Sequence, residues 1–109
     1  MENKYEQAYK LETEKGVEAF LNDYPKLQEA RFFANDLSIS DMLIDFDTAI
    51  DKALTERQSQ VIKLTYFKDM RQVDVANTLN LSQQTVQEHI KKATKNLATY
   101  HMLLKELED

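Results

Sequence analysis

Gln83, Gln84, Thr85, Gln87 and Glu88 form a short run of hydrogen-bonding side chains with no acid–base partner set for catalysis beside them. Groups of this kind are suited to reading the edges of base pairs. A glutamine amide can bond bidentately to adenine, a glutamate carboxylate accepts from the amino group of cytosine, and a threonine methyl meets that of thymine. Lys91, Lys92 and Lys95 follow further along, where compact positive charges suit phosphate oxygens better than bases. Lys68 and Arg71 precede the run. Arg71 is expected at the start of a short helix, whose free N–H groups and dipole also favour a phosphate. Arg57 and Lys63 are lesser candidates for the same role.

Other chemistries lack their residues. The chain has no cysteine, and its two histidines, His89 and His101, stand alone without the spacing of a metal site. Asp41, Asp45, Asp47 and Asp51 include i, i+4 pairs, but without a glycine-bearing loop they read as a soluble helix face. No nucleophile–base–orienter set, glycine-rich phosphate loop or zinc motif is present, so neither an enzyme nor a cofactor or metal site is expected.

The elements that must position these side chains follow from periodicity. One glycine, Gly16, and one proline, Pro25, in 109 residues, with no sustained apolar–polar alternation, predict an all-α chain. A first helix is expected from about Lys4 to Asp23, with Tyr5, Tyr9, Val17, Phe20 and Leu21 inward and Gly16 weakening its middle. Tyr24-Pro25 should end it, because a proline pushes the residue before it out of the helical region. A second helix is expected from Lys26 to Asn35, showing Leu27, Ala30 and Phe33, then a loop through Asn35-Asp36 and Ser38 to Ser40, and a third helix from Asp41 to Ala53. Phe32-Phe33 and Tyr66-Phe67 read as core. Thr55 and Gln58 have capping-box spacing, which starts a helix near Glu56. Lys68-Asp69 breaks its pattern, a short helix follows from Arg71 to Leu79, and Asn80 suits the left-handed position that ends it. Ser82 then caps the helix that opens with the glutamines. Val86, Ile90, Ala93, Leu97, Tyr100, Leu104 and Leu107 repeat as a heptad seam, so that helix should run to the C-terminus as one rod of about 35–40 Å at ~1.5 Å per residue. The seam should pack either on the N-terminal helices or on the same helix of a second chain, giving a homodimer.

Three parts are therefore expected: an acidic helical region at 1–54 for interaction or assembly, a helix-turn-helix at 55–98, and the end of the last helix at 99–109. The formal charge of −5 hides an asymmetry that supports this division. The first part carries six basic and twelve acidic side chains, the second seven and four, and the third one and three. The only positive segment is the one that would face DNA. No apolar run reaches the ~20 residues of a membrane span, and the first residues lack the pattern of a secretory signal. A cytoplasmic protein is expected.

Within residues 54 to 97, Leu54-Thr-Glu-Arg-Gln, Val61-Ile62, Leu64, Tyr66-Phe67, Val75-Ala76, Leu79, Leu81-Ser82, Thr85-Val86 and Ala93 resemble region 4 of the bacterial sigma-70 family. The resemblance implies a helix-turn-helix that recognises the −35 element of promoters and contacts the flap of RNA polymerase. By position it places base contact on Gln83, Gln84, Gln87 and Glu88, and backbone contact on Arg71 and the nearby lysines. Gln83, Gln87 and His89 stand where the family usually carries Arg or Lys, which implies weaker binding. The first 54 residues have no aromatic and basic cluster of the kind that holds the −10 element, so the resemblance is to a small phage- or prophage-type regulator or to one half of a split sigma factor. The expected function is a DNA-binding transcription regulator whose partners are double-stranded DNA and RNA polymerase. The alternatives are a DNA-packaging adaptor similar to small terminase subunits, with the seam as its assembly surface, and a protein-only module that binds polymerase.

Overall fold

The computed structural model describes the backbone of residues 8–34 and 37–108, and their side chains except those of 32–34. The expected start of the first helix at Lys4, the inward Tyr5, the pair Phe32-Phe33 and the loop residues Asn35-Asp36 lie outside the described residues. Among the described residues there is no strand, and besides the helical Ala8 and Tyr9 they form five α-helices and one π-helical segment: α1 Glu14–Ala34, α2 Leu37–Ala53, α3 Glu56–Ile62, the π-helical segment Lys63–Phe67, α4 Gln72–Leu79 and α5 Gln83–Glu108.

The start of α1 differs from the expectation. Lys10 takes a left-handed backbone (φ 54°), the Thr13 N–H and hydroxyl both donate to the Lys10 carbonyl, and the Gly16 N–H donates to Thr13 Oγ1 at 3.0 Å. Thr13 thus caps α1, and the expected helix is interrupted at residues 10–13, with Ala8 and Tyr9 helical before the break. Gly16 sits in the first turn instead of weakening the middle. A Cβ there would overlap the carbonyl oxygens of Tyr9 and Lys10, so the glycine lets the preceding chain cross close over the helix.

Pro25 does not end a helix either, because α1 runs through it for 21 residues. An interior proline forfeits one backbone hydrogen bond and crowds the preceding turn, at about 3 kcal/mol. The residues around it offset that cost by burial. Leu21, Tyr24 and Leu27 are all buried, and each such side chain is worth roughly 1.5–3 kcal/mol. Tyr24 also stacks on Phe67, with centroids 3.9 Å apart and planes 7° from parallel. The two expected helices are therefore one. The loop expected at Ser38 to Ser40 is likewise helical, since α2 starts at Leu37 and already buries Ile39.

The remaining boundaries follow local chemistry. Thr55 and Gln58 close the expected capping box, with Gln58 N–H to Thr55 Oγ1 at 3.1 Å and Thr55 N–H to Gln58 Oε1 at 3.2 Å. Gln58 is buried and also accepts from Asn96 Nδ2 at 3.4 Å, which ties α3 to the middle of α5. The π-helical segment ends as Lys68 N–H donates to the Lys63 carbonyl and Asp69 turns left-handed (φ 54°). Tyr66 and Phe67, expected as core, are half-buried and pack against the main cluster.

Two apolar clusters hold the molecule. The larger joins α1, α2 and α5 through residues such as Phe20, Leu21, Met42, Leu43, Phe46, Ile50 and Leu97. Its rings pack in a chain, Tyr9 edge-on to Phe20 at 5.4 Å, Phe20 on Phe46 at 4.3 Å and Phe46 on His101 at 5.9 Å. The smaller cluster, Val61, Val75, Ala76 and Val86, lies under the three short segments around the turn. Ile90 touches both clusters, so the start of α5 is fixed to the rest of the molecule.

The heptad seam closes largely within the chain. Val86, Ala93 and Leu97 are fully buried, Ile90 and Tyr100 half-buried, while Leu104 is 41% and Leu107 82% exposed. The smaller cluster of α3 and α4 thus covers Val86 and the main cluster covers the seam from Ala93 to Tyr100, which is most of the surface that a second copy was the alternative to cover.

Candidate nucleic-acid interface

The turn between α4 and α5 depends on Asn80, whose backbone is left-handed (φ 58°, ψ 46°). L-residues avoid this region by roughly 1–2 kcal/mol, and asparagine offsets part of that by local hydrogen bonding. The Asn80 N–H donates to the Ala76 and Asn77 carbonyls, and the Leu81 N–H to Ala76 at 2.8 Å, a closure that satisfies the last carbonyls of α4. Two residues later Ser82 caps α5, its Oγ accepting from the Thr85 N–H at 3.0 Å. The Ser82 hydroxyl donates to Thr85 Oγ1 at 2.8 Å. Thr85 is half-buried and held in place by this bond, unlike the exposed Gln83 and Gln84.

Gln83, Gln84, Gln87 and Glu88 are all exposed. Val86, Ala93 and Leu97 face the core, so at about 100° per residue Gln84, Glu88, Lys91 and Lys95 fall on the opposite face, Gln87 on one flank and Lys92 on the other. Lys91, Lys92 and Lys95 are exposed too. The structure thus brings Gln84, Glu88, Lys91 and Lys95 onto one uncovered face of the first half of α5, with Gln87 and Lys92 on opposite flanks of it, while Gln83, exposed in the first turn, lies nearer the core-facing side.

Arg71 is the N-cap of α4, with extended backbone (φ −68°, ψ 150°), and its side chain is 79% exposed. Its Nε donates to Asp74 Oδ2 at 3.0 Å. An exposed pair of this kind contributes at most ~1 kcal/mol, so a phosphate can compete for the guanidinium. Lys68 is exposed at the end of the π-helical segment.

Gln72, the first residue of α4, was not among the expected site residues. It lines an open groove of about 260 Å³ with Gln87, Ile90, Lys91 and Thr94 of α5 and with Glu14 and Glu18 of α1. Its position at the start of the supporting helix was a usable signal, but the approach of α1 was not, because it depends on tertiary packing. Glu18 also lies near Tyr66, whose phenol is pushed up by burial and then by that carboxylate.

His101 is half-buried against the core. It stacks on Phe46 and its Nδ1–H donates to the Leu97 carbonyl at 2.8 Å. Burial holds its ring below the ordinary histidine range, partly opposed by that bond and by Glu12 and Asp45. Among the described residues no three His, Asp or Glu side chains are placed to hold a metal ion, and no helix is long and apolar enough to cross a membrane.

Comparison with curated proteins and with solved structures yields no match. The family model described as Sigma-70, region 4, matches residues 52–99, the span from the end of α2 to the middle of α5, and this part of the chain is a sigma region 4-like helix-turn-helix.

Proposed function

We propose that this chain is a transcription regulator that docks the start of α5 in the major groove of promoter DNA and acts by binding, not catalysis, in the cytoplasm. The observation that carries the proposal is the left-handed turn at Asn80 followed by an uncovered helix face, in a segment that matches a DNA-binding family. Gln83, Gln84, Gln87 and Glu88 read base edges, with Thr85 offering its methyl from a fixed position. Lys91, Lys92 and Lys95 hold the phosphates on one flank and Lys68 and Arg71 those on the other, as a supporting helix laid across the backbone requires. Residues 55–98 are the DNA-binding unit, residues 1–54 the part for interaction with RNA polymerase, and 99–109 an extension of the reading helix, in the manner of a small phage- or prophage-type regulator.

Selection of bound sequences from a random duplex pool, with and without RNA polymerase, tests this reading. A shared motif that is enriched more strongly with polymerase supports it. A pool that stays random under both conditions refutes it.

A second reading rests on the exposed Met102, Leu103, Leu104 and Leu107 at the end of α5, which in a DNA-packaging adaptor would join copies into a ring, or in a regulator would join two. A solution mass of one chain at micromolar concentration rules out both assemblies.

A further inference from the structure

In the groove beside the reading helix the acidic and basic parts of the chain meet on the proposed DNA face. Gln72 opens the supporting helix, and Gln87 and Lys91 stand on the outer side of α5. In helix-turn-helix docking the start of the supporting helix crosses the sugar–phosphate backbone while the next helix enters the groove, so a DNA strand passes this spot. Glu14 and Glu18 line the same groove from the first turns of α1. Both are exposed, and among the described residues neither forms an ion pair. Two carboxylates without a close ion pair among the described residues therefore sit beside Lys91 where phosphates must approach, within the ~10 Å over which charges still act at 0.1 M salt.

We infer that Glu14 and Glu18 form an anionic guard on the DNA face, opposing backbone contact and lowering the affinity of the chain for every duplex alike. The guard depends on the packing of α1 against α5, which the Thr13 cap and the close crossing over Gly16 fix in place. Neutralising these two carboxylates, by substitution or by a basic partner surface, releases the contact made by Lys91. The inference rests on the DNA-binding reading above.

The test is anisotropy of a labelled mixed-sequence duplex titrated with the full chain at low and at high salt. The double variant Glu14→Gln, Glu18→Gln is compared with Asp41→Asn, Asp45→Asn, which makes the same change in net charge on α2, outside the groove. The first should bind roughly three- to ten-fold tighter than wild type at low salt, with the gap closing as salt rises, and the second should differ by less than about two-fold. Glu18→Gln alone, which leaves the acidic first turn of α1 intact, should show part of the gain. Far-UV circular dichroism confirms that each variant is folded. Equal gains from the two double variants, or none from the first, overturn the guard. If Lys92→Ala weakens binding while Glu14→Gln, Glu18→Gln leaves it unchanged, the guard alone falls; if neither wild type nor the guard variant binds any duplex at low salt, the DNA-binding reading falls with it.

Discussion

Replacing Asn80 tests whether the turn that presents the reading helix is held by backbone conformation. The residue sits at φ 58°, ψ 46°, a region that costs an ordinary L-residue roughly 1–2 kcal/mol and costs glycine nothing. Asparagine recovers part of that through its own local bonding, so Asn80→Ala should destabilise by about 1 kcal/mol and Asn80→Gly should stay within about 0.5 kcal/mol of wild type. A branched side chain is worse placed, and Asn80→Val should lose about 2 kcal/mol. None of the three removes the N–H groups of Asn80 and Leu81 that close the turn on Ala76, so the bend persists in whatever fraction is folded. In a domain of this size 1 kcal/mol moves the melting midpoint by about 4 °C or more. Thermal melts followed at 222 nm should rank the variants Gly, Ala, Val in falling stability, while duplex affinity well below the melting range changes little. Identical melting of the alanine and glycine variants would refute the left-handed turn and with it the presentation of the glutamine face.

Gly16→Ala should lose about 2–4 kcal/mol, comparable to overpacking combined with loss of a helix cap, because the new methyl must push the Tyr9 and Lys10 carbonyls off the helix; a melt unchanged from wild type contradicts the close crossing. His101 is held neutral by burial, below its ordinary value of 6.5, so the unfolded chain binds a proton first as pH falls. Stability should therefore drop as pH is lowered from neutral through 6.5 and below, and His101→Phe should flatten that slope in denaturant titrations; a wild-type stability that is constant or rises over this range contradicts the assignment. Thr65 Oγ1 is buried with no hydrogen-bond partner among the described residues, so Thr65→Val should be neutral or stabilise by up to about 1 kcal/mol, and a loss of more than that would show that the hydroxyl has a partner.

The second half of the fold was legible because its boundaries are set by neighbours in sequence. Thr55 with Gln58, Asn80, and Ser82 with Thr85 each satisfy backbone groups within a few residues of themselves, so residue type and spacing are enough to place them. The first half depends on distant contacts. Pro25 reads locally as a stop, and only the burial of Leu21, Tyr24 and Leu27, together with the stack on Phe67, carries the helix through it. Gly16 reads as a weak helix residue, and only the crossing of Tyr9 and Lys10 shows its use. The same division holds at the site. The glutamines and lysines of α5 follow from one helix and its cap, whereas the apposition of Glu14 and Glu18 to Gln72 and Lys91 comes from how α1 packs. The heptad spacing told which side of α5 is apolar but not that α3 and α4 would cover it at Val86 and the main cluster from Ala93 to Tyr100.

Docking of α5 in the major groove is tested most directly by the affinity of Gln84→Ala and Lys92→Ala for the selected duplex and for its single base-pair variants. Gln84→Ala should flatten the preference at one position, by roughly 1–3 kcal/mol, while Lys92→Ala should weaken every duplex alike and lower the salt slope by about one. Equal effects of both substitutions at every position, or wild-type protein that leaves all duplexes unbound at low salt, would contradict this docking.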